Sequence, residues 1–234
     1  MKKIALLLIV ISVFSCNKKE EQYDLTVQVN IEGLKKGTAY LKKANDTTLI
    51  IVDSLAINGN SDFELHADLD SPEMYYLFLD KNNNEERNIP FFASKGIIQI
   101  NTTLKNFELD VKITGSDQQK ILEDYNKIIV QFNDRNLELI KENFEAQRDQ
   151  DTAKISAIKI ESDNLLKRKY LYTVNFAMNN KDSEIAPYLA LSEIYDANVK
   201  WLDTINNSLA PEIKISKYGK ELQVYIDEIK GIEK

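Results

Sequence analysis

Residues 107–132, FELDVKITGSDQQKILEDYNKIIVQF, contain the change of rhythm that decides the fold. Phe107, Leu109, Val111 and Ile113 fall on every second position, the period of a strand with one buried face. Beyond Ser116, the residues Ile121, Tyr125, Ile128, Phe132, Ile140 and Phe144 recur at three, four or their sums, the period of an amphipathic helix. Ser116 or Asp117 stands where an N-cap belongs, with a short side chain that can accept from the first-turn N–H groups. The chain is therefore β before this point and helical after it.

Upstream, the apolar pattern over residues 23–115 has period two and is punctuated by Gly, Asn, Asp and Pro. Leu25, Val27, Val29 and Ile31 form the first strand, Glu32-Gly33-Leu34-Lys35-Lys36-Gly37 turns the chain, and residues 38–43 form the second. The continuous run Leu49-Ile50-Ile51-Val52 predicts a strand covered on both faces, ending at Asp53-Ser54. Residues 55–57 and 63–67 flank Asn58-Gly59-Asn60, a hairpin signal. Residues 75–79 and 97–100 are further strands, separated by a polar loop over 80–88. About eight short strands at this spacing predict an antiparallel β-sandwich over 23–116.

Downstream, one helix is predicted from residue 118 to about 150. A second begins at Asp151 or Thr152 and runs through Ile155, Ile158, Leu165, Leu166, Val174 and Ala177 to Asn179-Asn180. Two helices this long with a tight connection form an antiparallel hairpin. Asp182-Ser183-Glu184 caps a shorter helix with Pro187 in its first turn, residues 199–208 make another, and Ser216 opens a last one reaching Lys230. The class is α+β, with a helical domain over 117–234.

The N-terminus sets the compartment. Lys2 and Lys3 precede an apolar run over 4–14 that closes on Ser15 and Cys16, the one cysteine in the chain. The run is too short for a membrane span, which needs roughly 20 residues, and fits a signal peptide over 1–15. Val13-Phe14-Ser15-Cys16 resembles a bacterial lipoprotein signal, which implies acylation of Cys16 and a membrane contact through that anchor. An ordinary cleaved signal and a short anchor helix are the alternatives. Residues 17–22 are polar and of mixed charge, and read as a solvated tether or as an export tag.

Formal net charge is −7 over 234 residues, and loss of Lys2 and Lys3 makes the body more acidic still. Nucleic-acid binding and docking onto anionic lipid both call for basic faces, so neither is expected. Hydrophobic residues make up 43% of the chain, enough for a core. With no cysteine after Cys16 and His66 as the single histidine, thiol catalysis and His-rich metal sites are excluded from the body.

The order residues 27–33, Gly37-Thr38-Ala39-Tyr40-Leu41, Val52-Asp53-Ser54, Asn58-Gly59 with Phe63, Tyr75-Tyr76 and Ile113-Thr114-Gly115-Ser116 resembles a β module of unknown function. That module occurs in Bacteroidota-type lipoproteins, often ahead of a thioredoxin-like domain of the peroxide-reductase and cytochrome-maturation type. The segments at 183–191 and 216–229 are similar to the helical part that follows it. In longer relatives a Cys-x-x-Cys domain would begin about where this sequence stops, at Lys234. No cysteine follows Cys16 in this sequence, so the redox activity that the resemblance implies is not expected to carry over, since thiol exchange needs a thiolate.

Individual candidates read as structural. His66, beside Leu65, is expected to face solvent; Asp53-Ser54 lacks a positioned base and reads as a carboxylate bonded to turn backbone. Asp68 and Asp70 are spaced like the start of a calcium loop without its glycine and distal glutamate. Glu123, Asp124, Glu138, Glu142 and Glu145 read as a solvated helix face. Tyr75, Tyr76 and Phe78 cannot all point inward from one strand, and Tyr170, Tyr172 and Phe176 crowd one helix, so some belong at a domain contact or a partner surface. No catalytic residue, cofactor site or metal ligand is expected. The function expected is a non-enzymatic binding or scaffolding module anchored in the outer membrane, with an envelope protein as partner. An accessory that docks a separate thiol-disulfide oxidoreductase or its substrate, and a carboxylate-dependent hydrolase, are the rivals.

Overall fold

Leu25, Val27, Val29 and Ile31 point inward from β1 (Leu25–Glu32), and the chain builds two sheets around that row. A computed structural model describes residues 23–45, 47–80 and 87–232. The signal, Cys16 and tether lie outside them. The first sheet has the order β4 (Asp62–Ala67), β1, β7 (Gly96–Thr103), β8 (Lys112–Thr114). The second has the order β3 (Thr48–Asn58), β2 (Lys36–Asn45), β5 (Glu73–Asp80), β6 (Arg87–Ala93). Between them lies one core, in which Leu41, Leu65, Tyr75, Leu77, Phe91 and Ile98 are fully buried.

Five features differ from the sequence reading, the first beside the switch itself: residues 105–109 form a turn with Leu109 85% exposed, so of the alternating run 107–113 only the end is strand, in β8. The central pair β1 and β7 is parallel, with Leu25 opposite Gly96 and Glu32 opposite Thr103. The whole second sheet forms the crossover between these strands, an arrangement that local periodicity does not encode. Residues 49–57 lie in one continuous edge strand, β3, and its apolar run is not covered on both faces, since Ile51 is 57% exposed. Asn58-Gly59-Asn60 joins strands of different sheets, a corner with Gly59 at φ +94° in place of a hairpin. β6 has no counterpart in the sequence reading: Phe91-Phe92-Ala93 break alternation because this end of the strand is buried on both faces, while Pro90 is exposed.

The helices are α1 (Asp117–Arg148), α2 (Thr152–Asn179), α3 (Ile185–Glu193), α4 (Val199–Ser208), α5 (Pro211–Lys214) and α6 (Lys217–Ile232). Ser116 caps α1, its Oγ accepting from the Gln119 N–H at 3.2 Å, and Asp151 caps α2 by accepting from the Lys154 N–H at 2.9 Å. The connection between α1 and α2 is tight, with Gln150 at φ +55°. Gly115 is the pivot from sheet to helix. Its φ is +99°, and a Cβ there would lie 2.1 Å from the Ile97 carbonyl oxygen.

Helices cover the outer face of β5 and β6, giving three layers. Alternation along β5 sends Tyr75, Leu77 and Leu79 into the sandwich and Met74 and Tyr76 toward the helices. Among the described residues no helix is long and apolar enough to cross a membrane.

Candidate functional site

Among the described residues, chemistry gathers in a cleft where sandwich and helices meet, and exposed apolar surface lies on the far half of the α1–α2 hairpin as well as on β3.

Glu73, at the start of β5, is 4% exposed and sits at the base of the cleft. Its Oε1 accepts from Lys43 Nζ at 2.9 Å, and its Oε2 accepts from Lys217 Nζ at the start of α6. One buried carboxylate thus links β2 of the sandwich to the last helix. Breaking a buried pair leaves an uncompensated charge, so the three groups hold one another in place. Burial opposes the charge on Lys43, but Glu73 and Tyr75 together keep its ammonium above the ordinary value. Among the described residues the buried Tyr75 hydroxyl has no hydrogen-bond partner, and burial pushes that phenol up, with Lys43 partly offsetting the rise. The cleft encloses about 600 Å³, with Asp70, Glu184, Glu212 and Lys220 around it. Burial also lifts the Glu184 carboxyl above its usual range, while Glu184 Oε2 accepts from Gln118 Nε2 at 3.0 Å.

Beside the cleft, aromatic side chains fill the contact between the sheet and the helices. The Phe92 ring lies 5.4 Å from Tyr188 and 5.9 Å from Tyr218, while Tyr125 stacks on Tyr172 at 5.7 Å. Burial pushes the Tyr188 hydroxyl up to about 12, and those of Tyr125 and Tyr218 upward as well. β6 is a sheet edge, and its free backbone groups are taken up by the start of α1. The Phe92 N–H donates to Gln119 Oε1 at 2.8 Å, and Ser116 Oγ donates to the Phe92 carbonyl at 2.9 Å. The Met74 N–H donates to the Tyr218 hydroxyl at 3.0 Å. These bonds make the junction a fixed joint.

Beyond Phe132 the hairpin packs only on itself. Leu139 and Ala146 of α1 meet Ile158 and Leu165 of α2 in a separate small core. Arg135 clamps it, donating to Glu138 and Glu142 at 2.9 Å and to Glu161 on α2 at 2.7 and 3.0 Å. Those three carboxylates raise the guanidinium above its usual value. On another face of α1, Leu137 and Phe144 are 64% and 67% exposed, in line with Val130 and Ile140.

The residues singled out from sequence are scattered. His66 is half-buried, its ring 4.7 Å from that of Tyr23, with Nδ1 3.9 Å from Asp53 and Nε2 3.7 Å from Glu64. Asp53 lies within β3 and not at a strand end; it accepts from the Ser54 N–H at 2.7 Å and from the His66 N–H of β4 at 2.8 Å, stapling the two sheets. Asp68 and Asp70 are exposed on either side of buried Leu69. Among the described residues no three His, Cys, Asp or Glu side chains gather as a metal site. On the solvated face of α1, Glu138 and Glu142 join an ion-pair network with Arg135, Asp124 pairs with Lys127 at 2.6 Å, and Glu123 accepts from Gln119. Tyr75 belongs to the sandwich core, while Tyr76, Tyr172 and Phe176 join the sheet–helix contact. Phe78 is covered by Lys42, whose Nζ is 3.9 Å from the ring centroid, and Tyr170 donates to Asp196 at 2.6 Å. Sequence reasoning missed Glu73 and Lys217, because a pairing between residues 144 positions apart leaves no local pattern.

Residues 25–122 match the family described as "Domain of unknown function (DUF4369)". The match runs into the second turn of α1 and so includes Ser116 and Gln119, which hold the edge of β6. No curated protein matches the chain.

Proposed function

We propose that this chain is a lipid-anchored outer-membrane protein of the Bacteroidota lipoprotein type, acting as a non-enzymatic binding or scaffolding module. The α1–α2 hairpin is its binding surface and an envelope protein its partner. The observation that carries this reading is the exposed row Val130, Leu137, Ile140 and Phe144 on α1, of which the last three lie on the part of the hairpin that packs only on itself. Large apolar side chains in one stripe are the usual mark of a protein contact. The non-enzymatic part of the reading is supported by the junction, where Glu73 is held between two ammonium groups and is poorly placed to act as a base. The anchor is supported by residues 2–16 alone, through Lys2-Lys3, the apolar run and Cys16. Dual or triple acylation gives stable membrane attachment, whereas one chain does not.

The test is cross-linking in intact cells, with recovery through a C-terminal tag. A stoichiometric protein partner is expected, and it should be lost with Phe144→Lys. A bound fraction unchanged by that variant, or one holding only lipid and abundant bystanders, would remove the hairpin from the account. Separately, Cys16→Ala should release the protein from the membrane fraction, and unchanged fractionation would overturn the anchor.

A further inference from the structure

The exposed row on α1 has the spacing of a coiled-coil seam. Val130, Leu137 and Phe144 are seven residues apart, and Ile140 follows Leu137 by three. With Val130 in an a position, Leu137 and Phe144 are also a, Ile140 is d, and the polar Asn133 and Gln147 fill the d positions on either side of it. Val130 and Ile140 are 53% and 44% exposed, and none of the four apolar residues joins a packed apolar cluster among the described residues. Flanking the seam at e positions, Asp134 and Lys141 are exposed, and neither is in an ion pair among the described residues. Arg135, Glu138, Glu142 and Glu161 are paired with one another on this half of the hairpin, while Glu145, Lys154, Lys159 and Asp163 join Asp134 and Lys141 outside the ion pairs among the described residues.

We infer that the occupant of this stripe is α1 of a second copy of the chain, lying antiparallel. Rival proteins of unrelated surface have no reason to match this pattern; a second copy matches it by symmetry. In the antiparallel register a positions meet d positions, so Leu137 packs on Ile140 of the second copy and Phe144 on its Asn133. Each of these contacts occurs twice. The same register sets Asp134 opposite Lys141 of the second copy, also twice, giving each charge the partner it lacks within its own chain. A parallel register would oppose the two Asn133 side chains and face Asp134 and Lys141 toward Ile129, Asn136 and Asn143, with no charge to meet. Antiparallel helix macrodipoles favour the same choice. Since α2 lies on a different face of α1, the paired hairpins make a four-helix arrangement projecting from two sandwich blocks.

This inference rests on the hairpin as the binding surface and names the partner. It is tested with the chain lacking only residues 1–15 and carrying Cys16→Ala, so that introduced thiols alone report. Copies bearing Leu137→Cys, mixed with copies bearing Ile140→Cys, should form a disulfide-linked pair under mild oxidation. Val130→Cys should not link to itself, because the two positions lie roughly 25 Å apart in the antiparallel register. Phe144→Lys should weaken the dimer at least about tenfold in sedimentation equilibrium. Self-linkage through Val130→Cys would overturn the antiparallel arrangement. A monomer at high concentration with no mixed disulfide would overturn self-association altogether. If in that case Phe144→Lys still abolished capture of another protein from cells, the hairpin would remain the binding surface and only its occupant would change.

Discussion

Between Leu122 and Phe132, α1 packs in one cluster with residues of β5, β6, α2, α3 and α6; between Leu137 and Phe144 its apolar neighbours come from α2 alone. The two halves belong to one uninterrupted helix and have similar periodicity, yet the first half is held by aromatic rings and strand-edge hydrogen bonds and the second by a small core of four buried residues and an arginine clamp. A surplus of apolar side chains in the first half is absorbed by the sheet. In the second half the same surplus stays in solvent, which is why that half is read as the surface for a partner.

The comparison is broken most directly at Phe92. Replacing it with Ala should lower unfolding stability by about 3–5 kcal/mol, the range for a buried aromatic. Strand and helix signals should still melt together in urea, because the joint couples both regions; two separated midpoints would show that it does not. Tyr218→Phe removes the acceptor for the buried Met74 N–H while keeping the ring, and about 1–3 kcal/mol should be lost by the same measurement.

Glu184 sharpens the comparison through pH. Its folded carboxyl lies above the ordinary 4.5, so the stability it contributes is complete below that value and is lost as pH rises through the raised folded value. Glu184→Gln, which keeps the acceptor for Gln118, should therefore be the more stable form at neutral pH, with the difference fading as pH falls below 4.5. A constant difference across that window would contradict the burial argument. Phe144→Ala, in the second half, should change monomer stability by no more than about 0.5 kcal/mol, as expected for an exposed side chain. A larger loss would mean that the distal stripe serves the fold.

How much of this was legible in the sequence follows from the same physics. The switch at Ser116, both long helices and the caps at Ser116 and Asp151 are local patterns, and they are found where the periodicity puts them. The two-sheet region followed by helices was legible for that reason. The parallel pairing of β1 with β7 was not, since it depends on residues about 70 positions apart. β6 was hidden because burial on both faces erases alternation, and the apolar run in β3 misled because an edge strand can leave such residues in solvent. Within the junction, Glu73 follows Pro72 at a strand start and looks like any polar turn residue until Lys217 arrives from the other end of the chain. The periodicity placed Ile140 and Phe144 on one face with Ile121, Tyr125 and Phe132 and did not include Val130 or Leu137; that Ile140 and Phe144 turn to solvent could be decided only once α2 and the sheet were in place.

Amide hydrogen exchange along α1, at a concentration low enough to keep the chain monomeric, tests the division of this helix most directly. Amides from 122 to 132 should exchange as slowly as those of β5, through global unfolding, while amides from 137 to 148 should exchange faster through local opening of the distal hairpin. Uniform protection along α1, or a proximal half that exchanges faster than the sandwich, would contradict the account.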